Sequence, residues 1–282
     1  MSNEHPFKPR VKAPDPHLIA KTHDILRNHR LTTVCEESAC PNRTECYARG
    51  TATFMILGDT CTRACRFCNV KTGRGLPPDP TEPERIAAVV RDLGLRYAVI
   101  TSVDRDNLSD YGSGQFAAVV EAIRRSAPEV KIELLTPDFR GDRAALDTVL
   151  AAGPDKLAHN EETVRRLSPA IRPQSDYDRS LAVLRYYAEQ FDGPVKSSLM
   201  VGLGETTEEL LETMADLHAA GVRELTIGQY LQPTPRHAPV ARYHPPEYFA
   251  MLEKTARDIG FEAVASGVLV RSSYYAERLG EE

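Results

Sequence analysis

The chain has 282 residues, enough for one large domain or two modest ones, and its 41% hydrophobic and 27% charged residues exclude a disordered, collagenous or fibrous protein. Lys and Arg number 35 against 40 Asp and Glu, a formal net charge of -5, which argues against general nucleic-acid binding. No stretch approaches the ~20 apolar residues of a membrane span, and no apolar core of a secretory signal is visible at the start.

Residues 1–16 are rich in Pro, Lys and charge and read as a loosely ordered arm. From His17 to His29 a weak helical period runs through Leu18, Ile19, Ile25 and Leu26. A cysteine region then extends from Cys35 to Val70, interrupted by a strand expected at Thr51–Leu57. Beyond Thr81 the pattern predicts helices at Glu84–Leu93, Gly114–Ser126, Arg143–Ala151, Tyr177–Gln190, Thr207–Ala220 and Pro246–Ile259. Strands are expected between them at Tyr97–Thr101, Lys131–Leu135, Lys156–Ala158, Val195–Val201 and Glu224–Gln229, with an extra one at Phe261–Ala265. Gly94, Gly153, Gly221 and Gly260 follow periodic helices, where a residue tolerant of positive φ ends a helix cheaply. Thr81 and Thr207 stand in N-cap positions before acidic first turns. This alternation predicts an α/β fold of βα units around a parallel sheet. With Thr51–Leu57 there are six units, fewer than the eight of a closed barrel, so a single domain built as an open, partial barrel is expected.

All six cysteines lie between Cys35 and Cys68, and such crowding points to metal or cluster chemistry in a reducing compartment. Cys61-Thr-Arg-Ala-Cys65-Arg-Phe-Cys68 is a C-x3-C-x2-C loop directly after the first strand. Three thiolates on one short loop can bind three irons of a cubane cluster and leave the fourth iron without a protein thiolate. Zinc prefers four ligands, typically in paired C-x2-C units, and the second pair is missing. The C-terminal end of a barrel strand is also where active sites gather, so a cluster is favoured over structural zinc or incidental thiols. Cys35-Glu-Glu-Ser-Ala-Cys40-Pro-Asn-Arg-Thr-Glu-Cys46 is a C-x4-C-x5-C set. Alone it fits zinc, a second cluster or loop disulfides. Disulfides fail in a reducing compartment, and beside the other loop a second iron–sulfur site is favoured.

On these residues the sequence resembles the lipoyl synthase family of the radical S-adenosylmethionine superfamily. The stretch from Cys35 to Cys68, followed by Asn69-Val70, is similar to the family's hallmark region almost residue for residue. The likeness continues through Thr101–Asp106, Leu134–Phe139, His159–Thr163, Lys196–Thr206 and Arg271-Ser-Ser-Tyr274. The C-x3-C-x2-C marks only the superfamily, whereas the C-x4-C-x5-C and the Arg-Ser-Ser-Tyr are the specific marks. Tyr47 stands where the family commonly has Trp, and Tyr275 where His is common; neither is a ligand position.

The resemblance implies a partial (β/α)6 TIM-type barrel over residues 51–265. An N-terminal extension, 1–50, would carry the auxiliary cysteines, and a C-terminal segment, 266–282, the Arg-Ser-Ser-Tyr, both covering the open end. Cys61, Cys65 and Cys68 would hold a [4Fe–4S] cluster whose open iron chelates the amino and carboxylate groups of S-adenosylmethionine. Cys35, Cys40 and Cys46 would hold an auxiliary [4Fe–4S] cluster, with Ser273, in preference to Ser272, as the fourth ligand. In the family that cluster supplies the two sulfurs inserted at carbons 6 and 8 of an octanoyl chain on a carrier-protein lysine. Two S-adenosylmethionines are consumed per lipoyl group. Implied partners are octanoylated lipoyl domains of 2-oxoacid dehydrogenases and the glycine cleavage H protein. An electron donor such as flavodoxin or ferredoxin and an iron–sulfur carrier for cluster rebuilding complete the set, with no nucleic acid and no membrane. The implied location is cytoplasmic.

Thr101, Ser102 and Asp104 follow a strand, and Asp104 or Arg105 is expected against the methionyl part of the cofactor. Glu133, Asn160 and Lys196 lie in or near strand ends, where polar groups meet a ribose or a carboxylate; the alternative for each is an ordinary salt bridge beside the barrel mouth. Gly202-Leu-Gly204-Glu-Thr206 lacks the third glycine of a dinucleotide fingerprint and reads equally as an adenine contact or a tight turn capped by Thr206 or Thr207. His159 reads as a strand-end packing residue. Arg165, Arg166 and Arg172 read as a solvated helix face, with a basic lip for an acidic carrier as the alternative.

Overall fold

Apolar runs too short for helices become strands, and the longer amphipathic stretches between them become helices. The structure, a computed structural model, describes residues 16–37, 40, 42, 45–46, 53–273, 276 and 279. The expected arm (save Pro16), Thr51, Tyr47, Tyr274 and Tyr275 lie outside the described residues. In chain order the elements are α1 (Pro16–Asn28), β1 (Thr32–Thr33), α2 (Val34–Glu37), β2 (Thr53–Ile56), β3 (Thr60–Cys61) and β4 (Lys71–Thr72). Then follow α3 (Glu82–Asp92), β5 (Tyr97–Ser102), α4 (Ser113–Ser126), β6 (Lys131–Leu135), α5 (Arg143–Ala151) and β7 (Lys156–Ala158). The rest are α6 (Ser168–Ile171), α7 (Tyr177–Gln190), β8 (Val195–Val201), α8 (Thr207–Ala219), β9 (Glu224–Gln229), α9 (Pro246–Ile259) and β10 (Ala263–Gly267).

One sheet carries the order β1-β2-β5-β6-β7-β8-β9-β10. Only β1–β2 is antiparallel; the other neighbours run parallel, as successive right-handed βα units require. The end strands β1 and β10 do not pair with each other, so the barrel is open, as the unit count predicts. Both faces of the strands are covered: Phe54, Ile56, Ile100, Ile132 and Leu134 are buried on one, and Met55, Val99 and Glu133 on the other. Helix stripes such as Ile86, Val89 and Val90 of α3, and Phe116, Val119 and Ile123 of α4, close the outer layer.

The final strand begins two residues later than expected. Gly260 caps α9 at φ 119, and Phe261 still belongs to that turn, its amide donating to Ala256 and its ring edge-on to His218 at 5.4 Å. The α8 cap is Thr206 rather than Thr207: its hydroxyl accepts from the Glu209 amide while the Glu209 carboxylate accepts from the Thr206 amide. No helix among the described residues is long and apolar enough to cross a membrane.

Candidate functional site

A cavity of about 490 Å³ opens at the C-terminal ends of the parallel strands. The loop after β2 brings Cys61, Cys65 and Cys68 to its wall; β5 brings Thr101, Ser102 and Asp104; the turn after β7 brings Asn160 and Glu162. Cys35 and Cys40 arrive from the N-terminal side, and Arg271, Ser272 and Ser273 from the C-terminal side. Residues far apart in the chain thus converge on one end of the sheet, where open α/β folds bind ligands.

The cysteine loop is fixed at nearly every residue. Its launch is the turn Leu57–Gly58, with φ of 69 and 89. The Leu57 amide donates to the Glu82 carboxylate at 3.0 Å, and its carbonyl accepts from Arg105 at 3.2 Å, which holds a leucine in a region that normally costs about 1–3 kcal/mol. Further along, the Thr62 amide donates to the Asp104 carbonyl, the Ala64 amide to Gln174, and the Arg66 amide to the Ile171 carbonyl, at 2.8–3.0 Å. His237 meets the Cys68 carbonyl at 3.0 Å.

Between Cys61 and Cys65 lies Arg63, whose buried guanidinium reaches Asp104 at 3.2 Å, Asp106 at 2.9 Å and Asp138 at 2.6 Å. Burial alone would raise the Asp138 carboxyl, yet the Arg63 guanidinium beside it holds it well below the usual carboxylate range. Asp104 behaves oppositely: burial pushes it up to about 6 despite Arg63, and the neighbouring Asp138 and Asp106 add to the rise.

Burial, and then the Asp104 carboxylate, push the Cys61 and Cys65 thiols up to about 12; burial also raises Cys68. Thiolates in that setting need metal cations bound to them, so the donor chemistry fits an iron–sulfur cluster. Among the described residues no three His, Cys, Asp or Glu side chains converge on a point suited to one metal ion. A cubane places each thiolate on its own iron, so three thiols on one loop need not share a single point. None of the six cysteines forms a disulfide. The buried Ser102 hydroxyl on the cavity wall has no hydrogen-bond partner among the described residues, a polar atom available to a bound ligand.

The N-terminal cysteines and the C-terminal segment meet over the same wall. The Cys40 amide donates to the Cys35 carbonyl, the Cys46 amide to the Asn42 carbonyl, and the Asn42 side chain to the Leu269 carbonyl at 2.7 Å. Asn69, just past Cys68, donates to the Glu37 carbonyl at 2.9 Å. The C-terminal segment crosses β9 at Gly228, where a Cβ would lie 2.1 Å from the Val270 carbonyl oxygen; only glycine permits that approach. The Ser272 hydroxyl donates to Asn160 at 3.1 Å and its carbonyl accepts from Lys196 at 3.0 Å. No described group takes up the Ser273 hydroxyl.

Thr101, Ser102, Asp104 and Asn160 stand on the cavity wall, whereas Glu133 and Lys196 do not line it. Those two form an ion pair inside the barrel, both fully buried, with the Tyr97 hydroxyl donating to Glu133 at 2.7 Å. A period-2 pattern tells which face a strand residue takes, not whether a partner waits there. Arg105 likewise turns from the cavity to the Leu57 and Leu76 carbonyls. Arg172 is no surface lip: it is buried against Glu161. Arg165 and Arg166 are exposed and already paired, with Asp178 at 2.7 Å and Glu209 at 2.6 Å. The Gly202 turn closes on its own chain, the Leu203 amide donating to Glu205 at 2.9 Å, and Thr206 caps the helix that follows. His159 is a buried packing residue between the Thr136 carbonyl and Ser180. Sequence reasoning missed Arg63 and Glu162, the latter held at φ 69 by a parallel bridge to Leu199. A basic residue inside the first cysteine spacing was the one available signal for Arg63.

Residues 55–217 match the family model of the radical SAM superfamily. The solved structure of methylornithine synthase (PylB) shares the fold, with a TM-score of 0.56 at 13% identity over 80% of this chain and 73% of that one. The chain is a radical SAM protein, a class that implies one [4Fe–4S] cluster and S-adenosylmethionine. The lipoyl synthase of Rubrobacter xylanophilus is 53% identical over 274 residues, 97% of this chain and 85% of that protein. The lipoyl synthase of Thermus thermophilus is 55% identical over 259 residues, covering 90% and 80%. The chain belongs to the lipoyl synthase family.

Proposed function

We propose that the chain inserts two sulfur atoms, at carbons 6 and 8, into an octanoyl group carried on a protein lysine. The observation that carries this reading is the meeting of Cys61, Cys65 and Cys68 with Cys35, Cys40 and a C-terminal serine pair at one cavity. Cys61, Cys65 and Cys68 hold the [4Fe–4S] cluster, with Thr101, Ser102 and Asp104 lining the space for S-adenosylmethionine beside it. When bound, that pair supplies a carbon-centred radical able to take hydrogen from an unactivated C–H bond. Arg63 keeps the cysteine loop rigid by tying it to the strand ends that carry Asp104 and Asp138. The sulfur is a substrate of the reaction, brought as an auxiliary [4Fe–4S] cluster on Cys35, Cys40, Cys46 and Ser273. Ser273 is preferred over Ser272 because the Ser272 hydroxyl is engaged with Asn160. An alkoxide-type ligand suits a cluster that is to be dismantled, being a poorer match for iron than thiolate. Apolar wall residues such as Met55, Leu199 and Val270 give the acyl chain a dry path.

Residues 1–50 and 266–282 are read as coverings of the barrel, 51–265 as its body. The partners are octanoylated lipoyl domains and the glycine cleavage H protein, an electron donor of the flavodoxin or ferredoxin type, and a carrier that rebuilds the spent cluster. Six cysteines kept out of disulfides agree with a cytoplasmic location.

The test is mass analysis of an octanoyl-lysyl peptide incubated with the reduced, reconstituted protein and S-adenosylmethionine, where a gain of two sulfurs is expected. The protein should carry about eight irons, and the triple variant Cys35→Ala, Cys40→Ala, Cys46→Ala about four. Lipoyl product from that variant would overturn the assignment of the sulfur source.

A further inference from the structure

Ser272 is gripped by the barrel on both of its polar groups. Asn160, just past β7, accepts from its hydroxyl, and Lys196, inside β8, donates to its carbonyl. Each grip is itself secured. The Asn160 amide donates to the Glu162 carboxylate at 3.0 Å, and Glu162 is locked in place because its amide donates to the Ser198 carbonyl and its own carbonyl accepts from Met200. Lys196 is fully buried against Glu133. A buried ammonium is tolerable only when its donors are used, and one of those donors is spent on a backbone carbonyl of the C-terminal segment.

That carbonyl belongs to the planar unit that also contains the Ser273 nitrogen and Cα. Pinning the carbonyl and the Ser272 side chain together fixes this plane in two directions. The Ser273 Cα is then held in place, its Cβ is confined to rotation about the N–Cα bond, and its hydroxyl has no other described partner.

We infer that Asn160 and Lys196 are positioning residues that hold the Ser272–Ser273 peptide plane so that the Ser273 hydroxyl meets the auxiliary cluster. The inference rests on the ligand set proposed above. It gives Asn160 and Lys196 a task on the C-terminal segment in place of the cofactor contacts read from sequence.

The test uses the full-length chain carrying Cys61→Ala, Cys65→Ala and Cys68→Ala, reconstituted anaerobically with iron and sulfide, so that only the auxiliary cluster is observed. Release of iron to a ferrous chelator is timed, and the Mössbauer spectrum of the distinct iron site is recorded. Ser273→Ala should release iron about 10- to 100-fold faster than the parent, and Asn160→Ala, Ser272→Ala and the paired Glu133→Gln/Lys196→Met should do the same, with loss of the distinct iron signature. Asn160→Ala combined with Ser272→Ala should be no faster than either alone, because both remove one grip. Fast release from Ser273→Ala with parent-like release from the Asn160 and paired variants would overturn the positioning role and leave the ligand set standing. Parent-like release from Ser273→Ala would overturn both. An additive Asn160/Ser272 double variant would also overturn the grip. Should the paired variant fail to fold, the Asn160–Ser272 cycle decides the matter alone.

Discussion

Arg63 shows how one side chain can govern the placing of three thiols. It sits two residues from both Cys61 and Cys65 and joins carboxylates from two separate strand ends. Replacing it by Ala leaves the buried Asp138 with Arg179, at 2.8 Å, as its one remaining ion pair beside the Arg140 amide, so Arg63→Ala should cost about 3–5 kcal/mol in denaturant unfolding and lower iron uptake at the first cluster. His159 offers a pH test. Burial, helped by Arg172, pushes it down from 6.5 to about 4, so the native chain refuses a proton that the unfolded chain accepts. Its contribution is complete above pH 6.5 and is lost as pH falls from there to 4. The difference in stability between the cluster-free wild type and His159→Gln should therefore shrink by on the order of 3 kcal/mol across that window, as read by denaturant titration. The cysteines were legible in the sequence because spacing within a loop is covalent. The partners of Arg63 were not, since they come from Asp104 to Asp138, brought together only by the sheet.

The regular elements were legible for a different reason. α5, α7, α9 and β6 to β9 begin and end where periodicity placed them, because each has a single apolar period bounded by a clear stop. The pieces that build the site escaped: the two-residue ladder of β3 and β4, the single turn α6, and the Leu57–Gly58 launch are too short to show a period. Their geometry is set by distant contacts instead. Gly228 is the element-scale test. In Gly228→Ala the added Cβ meets a backbone oxygen at 2.1 Å, which cannot rotate away, so the C-terminal segment must lift. Expected results are native-like circular dichroism, faster hydrogen exchange over residues 268–273, and iron content falling from about eight toward about four per chain.

At the scale of the molecule, Cys35 and Cys40 from one side and Arg271 to Ser273 from the other reach one mouth of the barrel. Asn42 holds Leu269, and Asn69 holds Glu37, so the segments before and after the barrel strands are tied to each other and to the cysteine loop. Loading the clusters should raise the thermal midpoint of the whole chain in one transition, and calorimetry with and without reconstitution checks this. The open barrel also has an exposed flank to manage. β1 lies antiparallel on β2 through only Thr32 and Thr33, opposite Met55 and Phe54. Short as it is, that strand occupies the hydrogen-bonding groups of an apolar edge that would otherwise be a template for another chain. Removing residues 1–33 should therefore leave a sticky edge, and light scattering should record self-association rising with concentration beyond that of the full chain. The segment that delivers Cys35 to the cavity thus also closes one edge of the sheet, a second use of the same few residues.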